Sequence, residues 1–233
     1  MSSEIREIFA CEVCGSSELF SVLDLKMHPM CDDLVALDEN RTCNEYPIEI
    51  LFCSKCKTAH QRYQVEKHAL FPKNYHYRSK HTADVLDGMK DFVTSCGKKL
   101  AGLANKKVVD IGCNDGTLLN IFRQNGALTH GIEPTDAHIE AAANGHEVLN
   151  AYFTEEVARD FINLYGCADI ITFTNVFAHI DDLIRSPTKK GYNPIFIPLL
   201  KSAVKIERYS APISKIVVVD IKQEIKRKLL INI

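Results

Sequence analysis

Val108-Val109-Asp110-Ile111-Gly112-Cys113-Asn114-Asp115-Gly116 is the stretch on which the reading of this chain turns. A short apolar run of buried-strand character enters a turn with two glycines, and a helix-forming segment, 117–124, follows. Gly112 allows a ligand to approach the backbone closely. Gly116 allows the start of the helix to pack tightly. The spacing is G-x-N-D-G rather than G-x-G-x-x-G, so pyrophosphate binding is not the natural reading. Glu133 closes the next apolar run, 21 residues after Gly112. A carboxylate there accepts hydrogen bonds from ribose hydroxyls. Glycine turn and acidic strand end together point to an adenosine ligand.

Outward from this turn, strand and helix alternate. Strands are expected at 108–111, 129–132, 148–151 and 168–174. Helices are expected at 117–124, ending near Gly126, at 136–144, capped by Thr135 and ended by Gly145, and at 155–164, capped by Thr154 with acidic residues in its first turn. Repeated units of this length imply a parallel sheet covered by helices. Before it, 82–103 reads as an amphipathic helix with Thr82 as its N-cap. Val85, Met89, Phe92, Val93, Cys96 and Leu100 form one stripe at spacings of three and four.

Residues 1–72 are different in kind: rich in cysteine and turn residues, with short strand-like pieces such as 46–52. Cys11-x-x-Cys14 and Cys53-x-x-Cys56 are separated by 38 residues. Each pair presents two thiolates from one tight turn, with Gly15 and Lys57 at the knuckle positions that follow. Four converging thiolates are the closed ligand set of a structural zinc site. A module of ~70 residues with few large apolar side chains gains folding energy directly from such a metal. Cys31, Cys43, His28 and His60 are substitute ligands by type, but none belongs to a pair.

Composition bounds the function. Hydrophobic residues make 46% of the 233 and charged residues 25%, which excludes wholesale disorder. No apolar run reaches the ~18 residues of a membrane helix, and the N-terminus lacks a signal-peptide core. The expectation is a soluble, cytoplasmic protein whose nine cysteines are metal ligands or buried thiols rather than disulfides. The cysteine-rich segment is slightly acidic and has no basic stripe, which argues against a nucleic-acid partner.

With these pieces in order, the chain resembles class I S-adenosylmethionine-dependent methyltransferases. More narrowly, it resembles the sugar C-methyltransferase-like group with an N-terminal zinc-binding domain. The resemblance runs from the Cys11/Cys14 pair through Leu23-Asp24-Leu25-Lys26-Met27-His28-Pro29 and Tyr46-Pro47-Ile48 to Cys53/Cys56. It continues through Leu70-Phe71-Pro72, Asn74-Tyr75-His76-Tyr77-Arg78-Ser79, the glycine turn and Gly131-Ile132-Glu133-Pro134. It ends at Asn175-Val176-Phe177-Ala178-His179-Ile180-Asp181-Asp182-Leu183. It implies an α/β fold: a zinc-binding module over 1–72, a linking segment and amphipathic helix over 73–103, an incomplete Rossmann-like S-adenosylmethionine-binding domain over 104–183, and an atypical tail over 184–233. It implies that Asp110, Gly112, Asn114, Asp115 and Gly116 hold the methionine part of the cofactor, that Glu133 holds the ribose, and that Asn175 borders the methyl-transfer site. Tyr75 and His179 are the implied catalytic residues, and Arg78 stands where some members have a histidine. The implied reaction is methylation of a carbon beside a ketone in a nucleotide-linked sugar.

The resemblance stops after Leu183. Residues 184–233 hold eleven Lys and Arg against three Asp and Glu and no histidine, where the family pattern has a Glu-His pair supplying a base. A shortened sheet edge with a strand at 215–221 is one account, and a frame change in an AT-rich gene is another. Two further functional readings stay open on sequence: a non-catalytic cofactor-binding remnant, and a zinc-ribbon interaction module.

Overall fold

The computed structural model describes residues 5–30, 33–176 and 179, with the strands at 184–188, 191–194, 204–210 and 215–221. The described residues fall into two compact units that divide between Pro72 and Lys73.

The first unit is antiparallel. β1 (Ile5–Glu7) pairs with β5 (Tyr63–Val65). β2 (Leu19–Pro29), β3 (Glu45–Cys53) and β4 (Ala59–Gln61) form a three-stranded sheet with β3 in the centre. A short helix, α1 (Lys67–Leu70), follows. β3 lies where the strand-like piece at 46–52 is expected. β2 carries a polar–apolar alternation at Leu23-Asp24-Leu25-Lys26-Met27-His28, yet both of its faces are open. Phe20, Val22, Leu23, Leu25 and Met27 are all exposed. Its place is set by pairing with β3, not by burial. The unit's buried apolar side chains are few: Ile8, Tyr46 and Leu51, with Cys11 and Cys53.

The second unit carries the parallel sheet. β6 (Lys107–Ile111), β7 (Leu128–Ile132), β8 (Glu147–Leu149) and β9 (Ile170–Thr172) are ordered β8-β7-β6-β9. The chain steps outward from β6 to β8 and then returns to the far side of β6. This places a topological switch point between the C-terminal ends of β6 and β9, where open α/β sheets bind ligands. Helices α3 (Thr117–Gln124), α4 (Ala137–Ala143) and α5 (Glu155–Tyr165) lie at the expected positions. Thr154 caps α5, its hydroxyl accepting the Val157 N–H. The Thr135 hydroxyl accepts the Ala137 N–H, one position ahead of the Asp136 cap of α4.

The long helix differs from its expectation at both ends. α2 (Ala83–Lys99) has Thr82 at the N-cap position, but no side-chain hydrogen bond caps it. It stops at Lys99 because Leu100 leaves helical geometry and Ala101 and Gly102 turn left-handed. Its stripe is buried as expected: Met89, Phe92, Val93 and Cys96 join Leu118, Leu119 and Phe122 of α3 on one face of the sheet. On the other face Val109, Ile111 and Ile171 pack with Phe153, Phe161 and Phe173. Beyond the sheet, β10 (Ile184–Thr188) pairs with β11 (Gly191–Pro194), and β12 (Val204–Ser210) with β13 (Lys215–Ile221). β13 is the strand expected at 215–221.

Candidate functional site

In the first unit, the two CxxC turns are built alike. The Gly15 N–H donates to the Cys11 carbonyl (2.7 Å) and the Lys57 N–H to the Cys53 carbonyl (3.0 Å). Gly15 and Lys57 both take left-handed backbone, at φ 71° and 62°. Each turn thus aims two sulfurs at one point. All four Sγ atoms lie within 4.8 Å of one another, with Cys11–Cys56 at 3.5 Å and Cys14–Cys53 at 3.7 Å. A zinc tetrahedron with Zn–S bonds of about 2.3 Å has sulfur–sulfur edges of about 3.8 Å, so the four thiols fit that ion. Burial pushes the Cys11 thiol up to about 12. Burial opposes ionisation of Cys56 too, but hydrogen bonds from Thr58 and Cys11 outweigh it and bring Cys56 down to about 6. A divalent cation is what lets all four ionise together. Of the substitute ligands, Cys43 donates instead to the Asp33 carbonyl (3.2 Å), and Cys31 lies outside the described residues. Among the described residues His28 and His60 are not part of the cluster.

In the second unit, the glycine turn after β6 and the end of β7 meet. The buried Glu133 carboxylate accepts the Asn114 N–H on Oε2 (2.9 Å), and the Thr135 N–H (2.9 Å) and hydroxyl (2.6 Å) on Oε1. A carboxylate has about four acceptor directions, so Oε2 retains capacity beside the turn for a hydroxyl donor. The chemistry of a ribose fits it. Asp110 is buried in β6, and its Oδ1 accepts the Thr172 hydroxyl (2.6 Å). Burial pushes this carboxyl up to about 7, against that hydrogen bond, and the nearby Glu133 charge adds to the rise.

The glycines divide in their roles. Gly116 has φ 76°, and a Cβ there would meet the His146 ring at 2.8 Å and Ala141 at 3.1 Å. This is the tight helix-start packing expected. At Gly112 (φ 70°) Val176 also comes close, its Cγ2 2.4 Å from an added Cβ, so a side chain at this position would clash.

The segment before α2 meets the side chains of Asn114 and Asp115. Asn114 accepts the Ser79 N–H (3.1 Å) and donates to the Tyr77 carbonyl (3.0 Å). Asp115 accepts the Lys80 N–H (3.2 Å) on Oδ2, and the Thr117 N–H (3.1 Å) and hydroxyl (2.6 Å) on Oδ1. Tyr75, half-buried, stands at the head of that segment between His76 and Tyr77. Asn175 is exposed and left-handed (φ 57°) just beyond β9. His179 is exposed, its N–H on the Val176 carbonyl (2.8 Å). Phe177, Ala178 and 180–183 lie outside the described residues.

One contributor escaped the sequence reading. His146 sits beneath the turn, with Nδ1 on the Thr129 hydroxyl (2.7 Å) and Nε2 on Asn120 Oδ1 (3.1 Å). Burial, aided by the Arg123 charge, lowers its pKa to about 4 and keeps it neutral. A single histidine after a helix-ending glycine carries no motif that would reveal this.

Comparison with known proteins agrees with this arrangement. Residues 11–71 match a zinc binding domain family and residues 78–189 a methyltransferase domain family. The C-methyltransferase NovU of Streptomyces niveus is 28% identical over 187 residues, which cover 78% of this chain and 44% of NovU. The chain thus spans less than half the length of that relative. A ubiquinone biosynthesis O-methyltransferase of Cupriavidus pinatubonensis is 36% identical over 86 residues, 36% of this chain and 34% of the relative. Among solved structures, magnesium protoporphyrin IX methyltransferase of Synechocystis with bound S-adenosylmethionine covers 58% of this chain and 77% of its own, at 15% identity and a TM-score of 0.31.

These matches make residues 78–189 an S-adenosylmethionine-dependent methyltransferase domain and residues 11–71 a zinc-binding module. S-Adenosylmethionine and zinc are the cofactors these two parts are made for. Among the described residues no helix is long and apolar enough to cross a membrane.

Proposed function

We propose that the protein transfers a methyl group from S-adenosylmethionine to a small-molecule carbon acid, of the kind found beside a ketone in a nucleotide-linked sugar. The observation that carries this reading is the contact between Glu133 and the Asn114 N–H. It brings the acidic end of β7 onto the glycine turn of β6, beside the switch point of the sheet. NovU's description as a C-methyltransferase supports carbon, rather than oxygen, as the acceptor.

When bound, S-adenosylmethionine supplies an electrophilic methyl group on a sulfonium. The protein's residues supply alignment and proton handling. Glu133 holds the ribose through the free capacity of Oε2. The backbone of Gly112–Gly116 lies along the methionine part, with Asp110 beneath it. Asn175, at the mouth between β6 and β9, borders the acceptor. Tyr75 stabilises the developing enolate oxygen by donating its hydroxyl, and His179, on the loop after β9, faces the proton to be removed. The zinc module is structural, since four cysteines close the metal's coordination sphere. The partner is the nucleotide-linked small molecule, with no part for nucleic acid or membrane.

A methyl-transfer assay with a panel of nucleotide-linked keto-sugars tests this. Turnover with at least one of them, lowered about 100-fold or more by Tyr75→Phe or His179→Ala, is expected. Methylation of hydroxyls only, or turnover indifferent to both substitutions, contradicts it.

A further inference from the structure

Five hydrogen bonds tie the stretch from Tyr75 to Lys80 to the cofactor turn and to α4, and Arg78 adds two within the stretch. Arg78 donates from Nη1 to the carbonyls of Tyr75 (2.6 Å) and Tyr77 (3.0 Å), and from Nε to Glu140 Oε1 (2.6 Å). Its side chain is 17% exposed, and its bonds to Tyr75 and Glu140 are part-buried while that to Tyr77 is open to water. The Asn114 amide and Asp115 carboxylate supply three, on the Tyr77 carbonyl and the Ser79 and Lys80 N–H groups. Glu140 is gripped from a second side by the Lys80 ammonium, and the two cations, Lys80 first, hold its carboxyl below the usual range.

We infer that Arg78 is a positioning residue, which fixes the backbone of Tyr75 against the glycine turn by bridging two carbonyls of that segment to Glu140 on α4. The inference rests on the assignment of Tyr75 and the turn to the reaction. Its physical basis is the guanidinium fork. The planar head offers separate donors in fixed directions, so one side chain satisfies two carbonyls and a carboxylate together. A lysine has its three donors on one nitrogen and cannot reach the two carbonyls and Glu140 from separate atoms as Arg78 does. The Tyr77 carbonyl accepts from both Arg78 and Asn114, and the Asn114 N–H rests on Glu133. The chain of contacts therefore runs from the ribose carboxylate to Tyr75. A change at the turn on cofactor binding is transmitted to that tyrosine through named bonds. Tyr75 is set in place by the enzyme rather than by its substrate.

The test uses the full chain with ring-labelled tyrosine and S-adenosylhomocysteine as the probe. Tyr75 is identified among the eight tyrosines by the signal lost in Tyr75→Phe. In the wild type, the probe is expected to move the Tyr75 signal and leave that of Tyr46 in place. Arg78→Ala should shift Tyr75 toward the free-tyrosine position and abolish its response to the probe. Affinity for the probe should change by less than about threefold, because Arg78 reaches the cofactor site only through the segment. Arg78→Lys should restore the response in part. Glu140→Gln, a conservative change on a partly exposed helix face, should reproduce the Arg78→Ala shift in smaller measure even if Arg78→Ala fails to fold. A Tyr75 signal identical in wild type, Arg78→Ala and Glu140→Gln overturns the inference. So does a wild-type Tyr75 signal indifferent to probe that binds. If the wild type binds no probe, the proposed function fails instead, and the ligand-free Tyr75 signals of the same variants still decide the role of Arg78.

Discussion

The two units solve the problem of holding a chain together in opposite ways. The Lys73–Lys226 unit buries Phe92 and Phe122 on one face of its sheet and Phe161 and Phe173 on the other, all fully removed from water. At roughly 1.5–3 kcal/mol for each such side chain, burial is this unit's main driving force. The Met1–Pro72 unit buries Ile8, Tyr46 and Leu51, and leaves an eleven-residue strand, β2, with no buried residue. What replaces the missing core is a cross-link of four sulfurs between the turn at Cys11–Cys14 and the turn at Cys53–Cys56. Where apolar surface is scarce, stability is concentrated in a few ligand bonds. Where it is plentiful, stability is spread, and polar residues such as Asp110 and Glu133 can be buried for other purposes.

The contrast breaks most sharply on removing the metal. Chelation, or Cys53→Ser, is expected to unfold the β1–β5 unit outright while β6–β9 keep their amide protection. Zinc binding in such sites contributes on the order of 10 kcal/mol or more. Hydrogen exchange read by segment checks this, and uniform loss across both units would show that the core and the metal are not separate supports. The converse is Phe122→Ala, which should cost about 3–5 kcal/mol of unfolding free energy in the second unit. Its zinc content should stay at one equivalent, as elemental analysis and urea unfolding together would reveal.

A smaller effect sharpens the comparison through pH. His146, with its pKa lowered to about 4, takes up a proton near 6.5 once unfolded. Between those values the unfolded state binds more protons, so this group makes stability rise with pH. Asp110, raised to about 7, loses its proton near 3.8 when unfolded and has the opposite slope between 3.8 and 7. The two oppose each other from about pH 4 to 6.5. His146→Gln leaves only the Asp110 slope, so the variant should fall behind the wild type by up to about 1.4 kcal/mol per pH unit across that window. Urea midpoints at half-unit steps give the answer. A gap independent of pH would mean that His146 is not held neutral by the fold.

How much of this was legible in the sequence follows the same division. α3, at Thr117–Gln124, and β13, at Lys215–Ile221, have the bounds expected of them, and the helix stripe from Val85 to Leu100 is buried against α3. α3 and the helix stripe declare themselves because burial imposes a period on the residue pattern. β2 was not identified as a strand although Leu23 to His28 alternate, and the structure buries neither of its faces. The four-sulfur cluster was legible because CxxC spacing fixes local geometry. The packing of Val176 beside Gly112 was not legible, because it joins residues 64 positions apart. Asn114 and Asp115 were identified as site residues, but their grip on Tyr77–Lys80 depends on a tertiary contact that no spacing encodes.

The central claim is that the glycine turn and Glu133 together form an S-adenosylmethionine site, and calorimetry addresses it directly. S-Adenosylhomocysteine is titrated into wild-type protein and Glu133→Ala, each shown by circular dichroism to retain its sheet. The account predicts one site per chain in the wild type and affinity weaker by roughly 1.5–3 kcal/mol in the variant, the cost of losing hydrogen bonds to a charged acceptor. Equal affinity in the two proteins would contradict it.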